Sequence, residues 1–391
     1  MKKAYLLIIA AALAFAGCSK VGPEHSDPNA WMYDESLPVP IMLGTPGAEV
    51  MTKVGIGNDD LPTDAVGVFA LDARESAQAW GQSSLSELLI NESATITSGN
   101  ITFAKTKYYP LESGNNYTFY SYYPYQTSSI TKLSGSQYKL TYTLYGTADR
   151  DILWARSEEN PSVTYTKEDG TSATLNGYNA AYIRKGGTQP ALKYKHMLTA
   201  LTFKLKATEE DAQKLDSFNA IVTRLKITDA YNKVDLIIAD KDNDSKSGTL
   251  DISNHSADRN DFYLKGKIDG KTTSTFAISM LNDGSPDSEG NYIAYFGDDS
   301  GLLLVPKTIS GEDFTGVLEI KTYDKDEDGK LVNETVHNLP LKFKADFEAG
   351  KIYNFTILIK SPEEIFATAE MEKWGESTEG EIDYGDDSYQ D

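Results

Sequence analysis

Tyr117-Thr-Phe-Tyr-Ser-Tyr-Tyr123 and Tyr353-Asn-Phe-Thr-Ile-Leu-Ile359 settle the class of the fold. In both, aromatic or β-branched residues alternate with polar ones, the two-residue period that turns one face of a strand toward a core. Val66-Gly-Val-Phe-Ala-Leu71 and Tyr138-Lys-Leu-Thr-Tyr-Thr-Leu144 carry the same signal, so all four are expected as half-buried strands. Turn residues punctuate the chain between such runs at Glu112-Ser-Gly-Asn-Asn116, Glu168-Asp-Gly170, Asp269-Gly270 and Asp328-Gly329. Helical signals are few. Ala73–Leu89 is partly compatible with a short helix, and Glu209–Leu215 opens on an acidic turn that suits a helix N-terminus. The expected class is all-β with small helical inserts, arranged as two β-sandwiches.

The chain begins Met1-Lys2-Lys3 and continues as an apolar run from Ala4 to Ala16. A helix of that length rises about 20 Å, short of a ~30 Å hydrocarbon core, so the run reads as a secretory signal and not as a permanent span. Phe15-Ala16-Gly17-Cys18 resembles a lipobox, with small residues before the cysteine and Phe15 where leucine is usual. Cys18 is the single cysteine of 391 residues, so no intrachain disulfide can form. These features predict removal of residues 1–17 and lipid on Cys18, each buried CH₂ adding about 0.8 kcal/mol to membrane anchoring. The plainer alternative is an incidental thiol behind an ordinary signal.

Acidic residues outnumber basic ones, 58 to 37, and losing Lys2 and Lys3 takes the net charge from −21 to −23. Nucleic acid is therefore not an expected partner. A soluble, self-repelling surface is the simpler meaning of the charge. At about 150 residues per domain the mature length suggests two domains. Residues 18–38, with Gly22, Pro23, Pro28 and Pro38, read as a flexible tether. Domain sequence is then expected from residue 39, and the chain ends in an acidic tail from Glu376 to Asp391.

No catalytic, cofactor or metal constellation is legible. His25, His196, His255 and His337 form no pair four residues apart, and one cysteine cannot make a Cys-X-X-Cys site. Gly297-Asp-Asp-Ser-Gly301 superficially recapitulates a serine-protease loop, but the extra aspartate breaks the match. Asp324-Lys-Asp-Glu-Asp-Gly-Lys-Leu331 opens like a calcium loop, yet its twelfth position is Thr335 and Glu334 falls one place early. Asp240–Asp244 lacks the sixth-position glycine too, and a hairpin turn between Val317–Tyr323 and Leu331–Val336 is expected at the first of these sites. A pair of glycosidase carboxylates cannot be picked out among so many acids. Tyr108-Tyr109 and Tyr120–Tyr125 would stack on sugars if exposed and line a core if not.

The ordered series Gly67-Val-Phe-Ala70, Tyr120-Ser-Tyr-Tyr-Pro-Tyr125, Asp151-Ile-Leu-Trp-Ala155, Leu192–Phe203 and Gly350-Lys-Ile-Tyr-Asn-Phe-Thr-Ile357, followed by Trp374-Gly375, resembles the fimbrillin-like proteins. The resemblance runs from about Val39 to Trp374. It implies two consecutive transthyretin-like β-sandwiches, with a strand at Leu192–Leu205 closing the first and a boundary near Ala207, so that the domains are 39–206 and 207–391. Within that strand His196 is expected as a hydrogen-bonded structural residue.

The family consists of lipoprotein-derived subunits of type V pili, and the resemblance implies assembly by strand exchange. A first strand fills a groove in its own sandwich, a protease removes it, and a strand of another subunit takes its place. Here Val39, Ile41 and Leu43 supply the alternating strand, and residues 44–61 supply a loop rich in Gly, Pro and Asp. Processing would fall at Lys53, because Thr52-Lys53 stands where many members have Thr-Arg and the first arginine is Arg74. The implied donor lies between Ile365 and Tyr384, where Ile365, Ala367 and Ala369 alternate, as do Ile382 and Tyr384. Such small or sparse apolar residues make a poor strand, which leaves a capping or anchoring role open beside a stalk role. The implied partners are other copies or related pilus subunits, the membrane through Cys18, and a host or bacterial surface ligand. The implied location is the outer membrane and cell surface. The competing reading is a monomeric, lipid-anchored binding module, with glycans as its ligand class.

Overall fold

The computed structural model describes residues 29–45, 65–74, 78–82, 85–111, 115–128, 130–144, 151–264 and 302–361, and the backbone of 266–268, 271–273, 276–277, 288, 291–296, 364–373 and 376–377. Cys18, His25, Lys53, the Gly297–Gly301 loop, Ile382 and Tyr384 lie outside these residues.

The first sandwich is centred on a seven-stranded sheet. Its order is β13 (Lys195–His196), β10 (Leu153–Arg156), β7 (Tyr117–Tyr123), β3 (Val66–Asp72), β4 (Glu87–Thr97), β5 (Asn100–Phe103) and β2 (Leu43–Gly44). Beside it β1 (Val39–Pro40) pairs with β6 (Tyr108–Tyr109), and β11 (Ser162–Thr166) pairs with β12 (Ser172–Asn176). The facing sheet runs β17 (Thr249–Asp251), β16 (Lys233–Asp240), β9 (Gln137–Thr143) and β8 (Ile130–Leu133).

β3 and β7 are buried along their whole length, not on one face as the alternation predicts. The reason is that their sheet is covered twice. Phe69, Leu71, Tyr120 and Tyr122 share a core with Leu140 and Leu236 of the facing sheet. Val68, Ala70, Phe119 and Tyr123 turn the other way, into a core closed by Val39, Ile41, Tyr178 and Tyr182. The alternation therefore sorts side chains between two cores. β9 shows the expected half-burial, with Tyr138, Leu140 and Tyr142 inward and the residues between them partly exposed.

The second sandwich pairs β20 (Lys271–Thr273), β19 (Gly266–Ile268), β22 (Asn291–Phe296), β14 (Thr199–Thr208), β26 (Lys351–Ser361), β27 (Glu364–Lys373) and β28 (Glu376–Ser377), with β23 (Leu302–Leu304) also on β14. Opposite lie β18 (Arg259–Leu264), β15 (Ile221–Tyr231), β24 (Phe314–Lys325) and β25 (Leu331–Phe343), with β21 (Phe276–Ala277) on β15. Phe343 packs between Phe203 and Phe355, its ring centre 5.3 Å and 4.8 Å from theirs.

The all-β, two-sandwich class holds, and three finer expectations change. First, the boundary near Ala207 is not where the chain changes sandwich. β14 lies in the second sandwich, parallel to β26, whereas β16 and β17 return to the first and β16 pairs with β9. Since β15 ends at Tyr231 and β16 starts at Lys233, continuous strands join the two bodies. Val234, Leu236 and Ile238 complete the first core from beyond the expected division.

Second, no helix forms among the described residues of 73–89. Trp80 and Leu85 turn into the first core, and the Trp80 indole donates to the Asp72 carbonyl at 2.9 Å, a geometry that a helix would undo. The acidic turn at 209 does start a helix, α2 (Glu209–Ser217), capped by Thr208 Oγ1 accepting from the Asp211 amide at 3.2 Å. Third, the tether is docked from Asn29 onward. Ala30 is buried in a 3₁₀ turn over Ala30–Met32, and Trp31 packs against the core beneath β1.

Candidate functional site

The alternation of Val39, Ile41 and Leu43 corresponds to a seated strand. These three are 0%, 5% and 2% exposed, while the intervening Met42 is 44% exposed. Burying three such side chains contributes roughly 4–9 kcal/mol before ordering costs. Val39 stands opposite Tyr109, and Leu43 opposite Ile101. The Ile41 amide donates to Lys107 O at 2.8 Å and the Thr45 amide to Gly99 O at 2.8 Å. On the other edge the Gly44 amide donates to Pro190 O at 3.0 Å, and Leu192 donates back to Gly44 O at 2.8 Å.

The segment changes its main-chain partner along its length, β1 pairing with β6 and β2 with β5. Pro38 and Pro40 have no N–H to give, so the segment pairs as two two-residue pieces, β1 and β2, and not as one ladder. Side-chain burial and these main-chain bonds together hold the strand.

Its seat is aromatic. Tyr109, Phe119, Tyr178 and Tyr182 form an edge-to-face chain with centroid separations of 6.2, 5.9 and 5.8 Å. Tyr182 belongs to the short helix α1 (Ala180–Arg184), whose cap is Asn179 Oδ1 accepting from the Tyr182 amide at 2.9 Å. At the end of α1 the Arg184 guanidinium donates to Trp31 O at 3.0 Å and to Leu37 O, pinning the approach to β1. Burial pushes the Tyr109 hydroxyl pKa well above its ordinary 10, and the neighbouring Tyr178 and Tyr182 add to the shift. Neither Arg184 nor the tyrosine chain carries a local sequence signal for this role, because each reaches the strand only through the fold.

The C-terminal candidate is engaged within the chain. Ile365, Ala367 and Ala369 stand opposite Ile359, Ile357 and Phe355 in an antiparallel pairing of β27 with β26. The expected donor therefore lies in its own second sandwich over Glu364–Lys373.

The remaining candidates have structural partners. His196 is buried and shares a hydrogen bond with the Asp151 carboxylate, whose other oxygen accepts from the Ile152 amide at 2.7 Å. His337 Nε2 lies 3.0 Å from Thr322 Oγ1. Asp324–Thr335 is the expected hairpin, β24 to β25, and Asp326 Oδ1 closes its turn by accepting from the amides of Asp328 and Lys330 at 3.1 and 2.8 Å. No group of three or more metal-ligating side chains occurs among the described residues. Of the tyrosines considered as sugar platforms, Tyr109, Tyr120, Tyr122 and Tyr123 are core residues and Tyr108 is exposed. No helix among the described residues is long and apolar enough to cross a membrane.

No curated protein matches the chain. Among solved structures, a candidate cell adhesion protein from Bacteroides uniformis is 16% identical, with 86% of this chain and 98% of that one covered and a TM-score of 0.45. The fimbrial anchor protein Mfa2 from Porphyromonas gingivalis is 11% identical, covering 88% of this chain and 100% of its own, with a TM-score of 0.31. A fimbrial assembly protein from Parabacteroides distasonis is 10% identical, covering 85% and 95%, with a TM-score of 0.33. Likenesses this distant carry no argument. The sequence profile of the fimbrillin-like family, by contrast, matches residues 52–374. That stretch is well over half of the 391 residues, and the chain belongs to the fimbrillin-like family.

Proposed function

We propose that the chain is a cell-surface fimbrial subunit or pilus-associated adhesin, held to the outer membrane by lipid on Cys18, whose Val39–Leu43 strand is a removable occupant of the first sandwich. Its role is structural and adhesive, and both sandwiches are of the transthyretin-like kind. One observation supports the exchange reading above the others: Val39, Ile41 and Leu43 of one strand are buried in the first sandwich, and Lys53 follows the last of them by ten residues in the sequence. Such a strand fills the core, and once it is cut away the strand of another subunit can take its place there. Other pilus subunits are then the natural source of a replacement.

A terminal, anchoring position is favoured over a stalk position by the pairing of β27 with β26. A subunit in which residues 364–373 complete its own sandwich does not offer those residues as a donor strand. The test is size-exclusion chromatography after cleavage at Lys53, with and without a second subunit. Loss of residues up to 53 followed by binding of one partner is the expected result. A cut protein that releases the strand and still stays monomeric with every partner subunit would overturn the exchange reading. Extended homopolymers would overturn the terminal position.

A further inference from the structure

We propose that the seat of the N-terminal strand is matched to an incoming strand bearing a neutral hydrogen-bonding side chain opposite Tyr109, where the resident strand offers only Val39. The proposal rests on the strand-exchange reading above and specifies the chemistry of the partner.

Among the described residues, four buried side-chain polar atoms have no hydrogen-bond partner: Thr45 Oγ1, Tyr109 OH, Gln189 Oε1 and Asn232 Oδ1. Three of the four belong to the N-terminal strand or its surroundings. Thr45 ends the strand, Tyr109 faces Val39 across the β1–β6 pair, and Gln189 precedes Pro190, whose carbonyl receives the Gly44 amide. Several other buried tyrosines have partners. Tyr194 pairs with Ser121 Oγ at 2.6 Å, Tyr182 with Thr188 Oγ1 at 3.0 Å, and Tyr142 donates to Pro124 O at 3.1 Å. Tyr109, only 2% exposed, has none at the residue the strand covers.

A buried hydroxyl without a partner destabilises whatever state contains it, and that state here is the one with the resident strand in place. Directly opposed residues of an antiparallel pair have Cβ atoms about 4.5–5.5 Å apart, so the side chain at the Val39 register stands beside Tyr109 and is the position on an incoming strand from which its hydroxyl would be answered. The Val39 isopropyl group has nothing to bond with. A glutamine at that register has both the length and a donor–acceptor pair, whereas a carboxylate would carry a charge into the core. Apolar residues two and four positions on would fill the spaces of Ile41 and Leu43, which lie in the same core. The partner strand thus reads polar, any, apolar, any, apolar, and the resident is an occupant that its seat holds imperfectly.

The experiment uses the full chain cut after Lys53 and three synthetic peptides spanning residues 37–45: the native sequence, Val39→Gln and Val39→Leu. The Val39→Gln peptide should displace the resident strand at about five- to tenfold lower concentration than the other two, the value of one net hydrogen bond. On the Tyr109→Phe protein that advantage should vanish. Equal competition by the Val39→Gln and Val39→Leu peptides on the parent, or an advantage that persists without the hydroxyl, overturns the proposal. If none of the three peptides exchanges although cleavage is complete, the strand-exchange reading itself fails and takes this inference with it. As an independent check, Tyr109→Phe in the uncut chain should raise the melting temperature by about 2–4 °C. A lowered melting temperature would show that the hydroxyl is bonded and would equally overturn the proposal.

Discussion

Arg184 Nε donates to the main-chain oxygen of Trp31 at 3.0 Å, across 153 residues of sequence. A second bond from the same guanidinium reaches Leu37 O, so the end of α1 holds both sides of the turn that leads into β1. The segment ahead of the buried strand is thereby fastened to the same body as the strand's seat.

Arg184→Ala should loosen this segment. Two charge-assisted bonds to carbonyls are lost, worth about 1–2 kcal/mol at a partly exposed site. Limited proteolysis of the N-terminal region should accelerate, and Arg184→Lys should restore less than half of the protection because an ammonium cannot reproduce the guanidinium fork. Unchanged cleavage rates in the alanine variant would show that the clamp contributes nothing.

Ile41 and Met42 are neighbours with opposite surroundings, one buried and one exposed. Ile41→Ala should cost about 2–4 kcal/mol in urea unfolding, by lost burial and by the cavity left behind. Met42→Ala should change stability by less than about 0.5 kcal/mol. Similar losses at both positions would mean that the strand is not seated face-inward in solution.

His255 predicts a pH dependence. Its Nε2 lies 3.0 Å from Asp235 Oδ1 and its Nδ1 lies 2.9 Å from Asp258 Oδ2, so both nitrogens donate when the ring is charged. Burial alone would lower the His255 pKa, but the bonds to Asp235 and Asp258, with their charges, outweigh it and raise the pKa above the ordinary 6.5. Burial alone would likewise raise the Asp235 pKa, and Lys139, Thr141 and His255 together bring it below 3.8. The histidine contribution is complete below the unfolded pKa near 6.5 and fades as pH rises through the folded value. The aspartate contribution is present above 3.8 and fades as pH falls through its own folded value. Urea midpoints measured from about pH 5.5 to 8.5 should therefore decline at the alkaline end, and His255→Gln should flatten that decline. A decline of the same size in the variant would assign it to other groups.

Under the proposed anchoring, in which the only cysteine of the chain accepts the lipid, Cys18→Ala should abolish incorporation of labelled fatty acid and slow maturation of the precursor. Mass spectrometry of the membrane fraction provides the readout. Lipid found on the alanine variant would refute the assignment.

Much of the architecture is legible before folding because a two-residue period is a local property. Tyr138, Leu140 and Tyr142 announce an inward face, and so do Val39, Ile41 and Leu43. The hairpin at Asp326–Lys330 is equally local, since the Asp326 carboxylate bonds amides two and four residues away. Ala73–Leu89 misleads for the opposite reason. Its helical compatibility is a weak prior, and burial of Trp80 and Leu85 in the first core overrides it.

By itself, then, the amino-acid sequence determined the all-β class, the inward faces of β1, β2 and β9, and the placement of the only cysteine directly behind an apolar run. Tertiary structure alone decided that β3 and β7 are covered on both sides, that β16 crosses back to β9, that β27 pairs with β26, and that Arg184 and Tyr109 belong to the strand's seat. The physical reason is that periodicity records which side of a strand is apolar, whereas what covers that side is set by contacts between residues far apart in sequence.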